Sequence, residues 1–81
     1  MTRAAPDDAD IAAMIDRMTS DRAPATICPS EVARAMADDW RPLMPRVRAV
    51  AAGMAGIVAT QKGAAVDPVA ARGPIRLAVR R

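Results

Sequence analysis

Alanine supplies 20 of the 42 apolar residues in this 81-residue chain, and that dilution constrains the fold more than any other feature. Burial rests on 14 Val, Ile and Leu, six Met and one Trp, with no Phe or Tyr. A chain of this length buries about 60–65% of its unfolded surface. The supply suits one compact helical domain with a thin, Met-filled centre. It excludes a large cavity, a second domain and a β-sandwich, which draws on many β-branched and aromatic positions.

Periodicity orders the elements. Pro6 and Asp7 mark a helix start, with Asp7 or Asp8 as N-cap and acidic residues in the first turn. Ile11, Met14, Ile15 and Met18 then recur at helical spacing, and Thr19-Ser20-Asp21 with Pro24 closes that helix. Thr26-Ile27-Cys28 is a short β-prone piece stopped by Pro29. Ser30 is placed to cap a second helix with Glu31 in its first turn; Val32, Ala33 and Met36 form its buried face, and Asp38-Asp39 ends it. Leu43, Val47, Val50 and Met54 make the inward stripe of a third helix. Pro42 and Pro45 predict an irregular turn over Trp40–Met44 and firm helix from about Pro45, stopped by Gly56.

The period then changes from helix to strand. Ile57-Val58-Ala59-Thr60-Gln61 is β-prone, Lys62-Gly63 is a turn with Gly63 at positive φ, and Ala64-Ala65-Val66 is the return strand. After Gly73-Pro74, residues Ile75 to Arg80 alternate apolar and polar. The order predicts an α+β fold, mainly α: a winged helix-turn-helix of three helices with a small antiparallel sheet and wing. The expected core is Ile11, Ile15, Val32, Met36, Trp40, Leu43, Val47, Val50, Ile75 and Leu77. Residues 1–6 read as a flexible tail, 7–79 as the single domain and 80–81 as a basic end.

Several segments also share their wording with a known group. Thr26-Ile27-Cys28-Pro29-Ser30-Glu31-Val32-Ala33-Arg34, Trp40-Arg41-Pro42-Leu43-Met44 and Thr60-Gln61-Lys62-Gly63 carry the likeness, with Val66-Asp67-Pro68 and Ala71-Arg72-Gly73-Pro74-Ile75-Arg76-Leu77 closing it. From about Ala25 to Leu77 the chain resembles a family of small uncharacterised bacterial proteins classed as a domain of unknown function. The resemblance implies a winged-helix-like fold. It brings no activity and no catalytic residues to carry over.

The residue inventory argues against an enzyme. Histidine is absent, which removes the commonest general base and metal ligand. The single Lys, Lys62, falls on a hairpin tip, and Cys28 between Ile27 and Pro29 reads as a small buried hydrophobe rather than a redox sensor. Asp38 and Asp39 read as a turn pair, not an acid/base pair. Asp7-Asp8-Ala9-Asp10 is too short and Gly-free for a calcium loop, so no metal and no cofactor is expected. Gly53-Met54-Ala55-Gly56 matches a bare G-x-x-G but lacks a basic residue to hold phosphate. Trp40, the lone aromatic, is assigned to the core. The longest apolar run, Ala49–Ala59, spans 11 residues and is broken by two glycines, against about 20 for a membrane span. No membrane partner is expected, and the reading is cytoplasmic.

Charge divides the chain. Residues 1–39 hold four basic and eight acidic side chains, a balance of −4; residues 40–81 hold eight basic ones against Asp67, a balance of +7. On the third helix Arg41, Pro45, Arg48 and Ala52 lie opposite the apolar stripe and Arg46 flanks it. In a helix-turn-helix that outer face enters the major groove. Arg41, Arg46, Arg48, Gln61 and Lys62 are therefore the candidate nucleic-acid contacts, on duplex DNA bound weakly and mainly through phosphate. The alternative is a protein-interaction adaptor whose basic face meets an acidic protein surface, because winged helices also serve assembly.

Overall fold

The computed structural model describes residues 6–80. Most of the expected tail, residues 1–5, and Arg81 of the basic end lie outside the described residues. Within them, α1 (Asp8–Arg22), α2 (Pro29–Met36), a 3-10 turn (Arg41–Leu43) and α3 (Met44–Ala52) precede β1 (Ile57–Gln61), β2 (Ala64–Ala65) and β3 (Arg76–Val79). The class is α+β, mainly α, in the order that periodicity predicts.

Helix α1 starts where its acids allow. Asp7 accepts the Asp10 N–H at 2.8 Å, and the Asp10 carboxylate accepts the Asp7 N–H at 3.2 Å, a reciprocal capping box. Thr19 and Ser20 do not end the helix, which continues to Arg22. Thr19 is buried and its hydroxyl donates to the Ile15 carbonyl at 2.7 Å, so its polar group is satisfied inside the helix. Ser30 is not the cap of α2. Pro29, with φ preset for a first turn, starts the helix two residues earlier than a Ser30 cap would and makes Cys28 the cap. The Glu31 carboxylate accepts the Cys28 N–H at 2.8 Å.

The predicted irregular turn ahead of α3 is the 3-10 turn, with the Leu43 N–H bonded to the Trp40 carbonyl at 3.0 Å. Gly56 does not stop α3. The helix ends at Ala52 with Gly53 as C-cap at φ −85°, right-handed, its N–H donated back to Val50 at 3.0 Å. Glycine's poor helix propensity ends the run at the first of the two glycines, without a left-handed cap.

The sheet has the order β2-β1-β3, all antiparallel, with Ile57 opposite Val79 and Thr60 opposite Arg76. Lys62 (φ +52°) and Gly63 (φ +83°) both take positive φ, as a type I′ hairpin turn requires. The β-prone Ile27 bridges Leu77 through N–H···O bonds of 2.9 and 2.8 Å, fastening the α1–α2 connection to the free edge of β3.

The core lies between the helices and one face of the sheet. Ile11, Ile15, Val32, Leu43, Val47, Ile75 and Leu77 are buried as predicted. Met36, Trp40 and Val50 sit at the margin, half-buried, while Ile27, Ala33, Ala51, Ile57 and Ala59 join the centre. Alanine at 33 and 51 fills close approaches that larger residues would hold apart. Among the described residues no helix is long and apolar enough to cross a membrane.

Candidate nucleic-acid interface

The five predicted contact residues divide by what their side chains touch. Arg48 is half-buried on the outer face of α3. Its guanidinium donates to the carbonyls of Ala71 at 2.9 Å and Gly73 at 2.7 Å, with a longer bond to Pro68 at 3.4 Å. The Gln61 amide, at the end of β1, donates to the carbonyls of Arg72 and Pro74. Two side chains predicted to face a ligand therefore clasp the segment between β2 and β3. Pro68 is buried within that segment and Ala71 packs against the core, and Asp67 turns it by accepting the Val69 N–H at 2.9 Å.

Arg46 reaches across to α1 and pairs with Asp8 at 2.9 Å, an exposed pair worth about 0–1 kcal/mol. Arg41 is exposed at the start of the 3-10 turn, with its guanidinium over the Trp40 ring. Lys62 is exposed at the hairpin tip. The Arg48 and Gln61 clasps bring Arg72, also exposed, to the same region as Lys62.

Sequence reasoning did not select Arg72 or Arg34 as site residues. Arg72 sits in a loop with no periodicity to orient it. Arg34 belongs to the acidic half, and only the packing of α2 beside the 3-10 turn sets it over Trp40, at 4.6 Å from the ring centroid. Trp40 is thus no central core residue: it is half-buried, with guanidinium groups on its ring. Cys28 is likewise not sealed among apolar neighbours. It is half-exposed and its Sγ touches the Arg76 guanidinium, which also donates to Thr26 Oγ1 at 2.7 Å and the Thr26 carbonyl at 3.0 Å.

The electrostatics follow from these pairings. Ion pairs among the described residues join Arg22 to Glu31 and Arg46 to Asp8. The Glu31 carboxyl is held below its ordinary range, first by the Cys28 N–H and then by Arg22. Arg80 donates to the carbonyls of Ala55 and Ile57, which fixes its position and leaves its charge. The arrangement provides fixed positive charge with few guanidinium edges free to read bases. Arg48, the residue best placed on α3 for a groove, has its donors on backbone oxygens.

A family model described as "Protein of unknown function (DUF3253)" matches residues 8–80, beyond the Ala25–Leu77 stretch that carries the resemblance in sequence. No curated protein matches the chain.

Proposed function

We propose, for a chain that belongs to the DUF3253 family of proteins of unknown function, a non-catalytic role: its basic half binds the phosphate backbone of duplex DNA. One observation carries this reading. Among the described residues Arg41, Arg48, Lys62, Arg72 and Arg80 form no ion pair, so most of the positive charge of the C-terminal half stands uncompensated. Uncompensated charge on one part of a small domain attracts polyanions and releases their counterions on binding.

The element order supports a winged helix-turn-helix, with α3 as the groove helix and residues 62–74 as the wing. In that reading Arg48 binds the wing to α3 and Gln61 binds it to β1, which makes one continuous basic surface. Arg41, Lys62 and Arg72 contact phosphate directly, and Arg46 exchanges the exposed Asp8 carboxylate for a phosphate oxygen. Arg48 supplies charge and holds the wing; its occupied donors do not read guanine. Binding is consequently weak and indifferent to sequence.

Affinity for a random duplex across a salt series tests this. About four phosphate contacts give a slope of log K against log salt near −3.6, and Arg41→Ala or Lys62→Ala flattens it by about 0.9. Arg17→Ala, exposed on α1, changes neither slope nor affinity. A parent protein that leaves DNA free at low salt overturns the reading.

A further inference from the structure

Arg34 near the end of α2 and Arg41 at the start of the 3-10 turn belong to separate elements, yet both guanidinium groups rest on Trp40, each 4.6 Å from its centroid. Both arginines are exposed, and Trp40 is anchored at the core margin. A guanidinium stacks through its flat face, which leaves the N–H donors along its edge pointing outward. Among the described residues neither side chain pairs with a carboxylate, although Asp38 and Asp39 stand in the loop between them. Arg48, Arg76 and Arg80 differ, since carbonyl oxygens occupy their edges.

We propose that Trp40 holds Arg34 and Arg41 as a preordered pair that grips phosphate oxygens of the DNA backbone, with Arg34 as an added contact and Trp40 as the positioning residue. This rests on the backbone-binding reading and extends its footprint from the basic half onto α2. Guanidinium edges match phosphate oxygens bidentately, a fit that a lysine at either place would lack. Stacking also restrains two long side chains before the ligand arrives, so less freedom is lost on binding.

The test uses the whole chain and a random duplex over a salt series. Arg34→Ala flattens the slope by about 0.9 although Arg34 lies in the acidic half. Trp40→Leu keeps both charges, so the slope stays near the parent's while affinity drops several-fold at every salt concentration. Trp40→Phe recovers part of that loss because a ring face remains. Duplex also quenches the fluorescence of Trp40, the chain's single tryptophan. Circular dichroism checks that each variant is folded; if Trp40→Leu is not, Arg34→Ala and the quenching decide.

Parent-like slope and affinity in Arg34→Ala, beside weakened Lys62→Ala, removes the pair and leaves the backbone reading standing. Failure of the parent to bind at low salt removes both. Binding of polyglutamate in place of DNA, abolished by Arg34→Ala, would assign the pair to an acidic protein and overturn the phosphate assignment.

Discussion

The guanidinium of Arg48 lies 2.7 Å from the Gly73 carbonyl, joining the outer face of α3 to a loop 25 residues further along the chain. With its second bond to Ala71, this side chain adds polar anchoring of residues 67–74 to the apolar hold of buried Pro68 and half-buried Ala71. Arg48→Ala should cost about 1–2 kcal/mol, as expected for losing hydrogen bonds from a charged donor at a half-buried site. Arg48→Lys should recover only part, because an ammonium lacks the planar fork that spans separate carbonyls. Urea titration with hydrogen exchange at the Ala71 N–H, which donates to Asp67 at 2.9 Å, measures both. Parent-like protection there in Arg48→Ala would show that the loop holds itself.

The hairpin tip sets stability against binding. Lys62 at φ +52° occupies a region that costs an L-residue roughly 1–2 kcal/mol, less for Asn. Lys62→Asn completes an Asn-Gly type I′ turn and should stabilise the fold by about 0.5 kcal/mol. The same change should flatten the salt slope for DNA. A variant both less stable and equally well bound would contradict the two assignments together.

Gly63→Val should destabilise by about 1–3 kcal/mol, because φ +83° is closed to a β-branched side chain even though open space surrounds the site. The cost is conformational, so Gly63→Asn should lose less than Gly63→Val. Equal melting temperatures for parent and Gly63→Val would refute it.

Glu31 links stability to acid. Its carboxyl is held below the ordinary range in the folded state, chiefly by the Cys28 N–H and next by Arg22, so the folded protein favours the charged form. The contribution is fully present above the unfolded-state pKa and fades as pH falls through the lowered folded value. The parent should therefore lose stability from roughly pH 5 toward pH 3, within the range of carboxylate titration. Glu31→Gln keeps an acceptor for Cys28 and should show a flatter acid limb. Superimposable urea midpoints against pH for the two proteins would argue against the linkage.

Leu77 is fully buried and its backbone carries both bonds to Ile27. Leu77→Ala should cost about 3–4 kcal/mol, within the range for a leucine truncated in a packed core. Trp40→Ala should cost less despite the larger side chain, since Trp40 is half-buried. Chemical denaturation ranks the two; the reverse order would return Trp40 to the centre.

Sequence by itself determined the number and order of elements, because each rests on local physics. Asp7 caps, prolines at 29, 42 and 45 limit where helices begin, and Lys62-Gly63 turns a hairpin, whatever the rest of the chain does. It also determined the charge division, which no fold can alter. Within elements, boundaries slipped where a polar group found a partner that periodicity does not reveal: Thr19 on Ile15, Glu31 on Cys28.

Tertiary structure alone decided what the charged side chains do. Helical projection sets Arg48 opposite the apolar stripe, but only packing brings the 67–74 loop onto this side chain and turns its donors to carbonyls. Arg41 is Trp40's neighbour in the chain, but only the meeting of α2 with the 3-10 turn sets Arg34, from across an acidic loop, on the same ring. The physical reason is reach. Capping, turn geometry and periodicity act over a few residues, whereas a long side chain's partner is whatever distant segment the core presses against it.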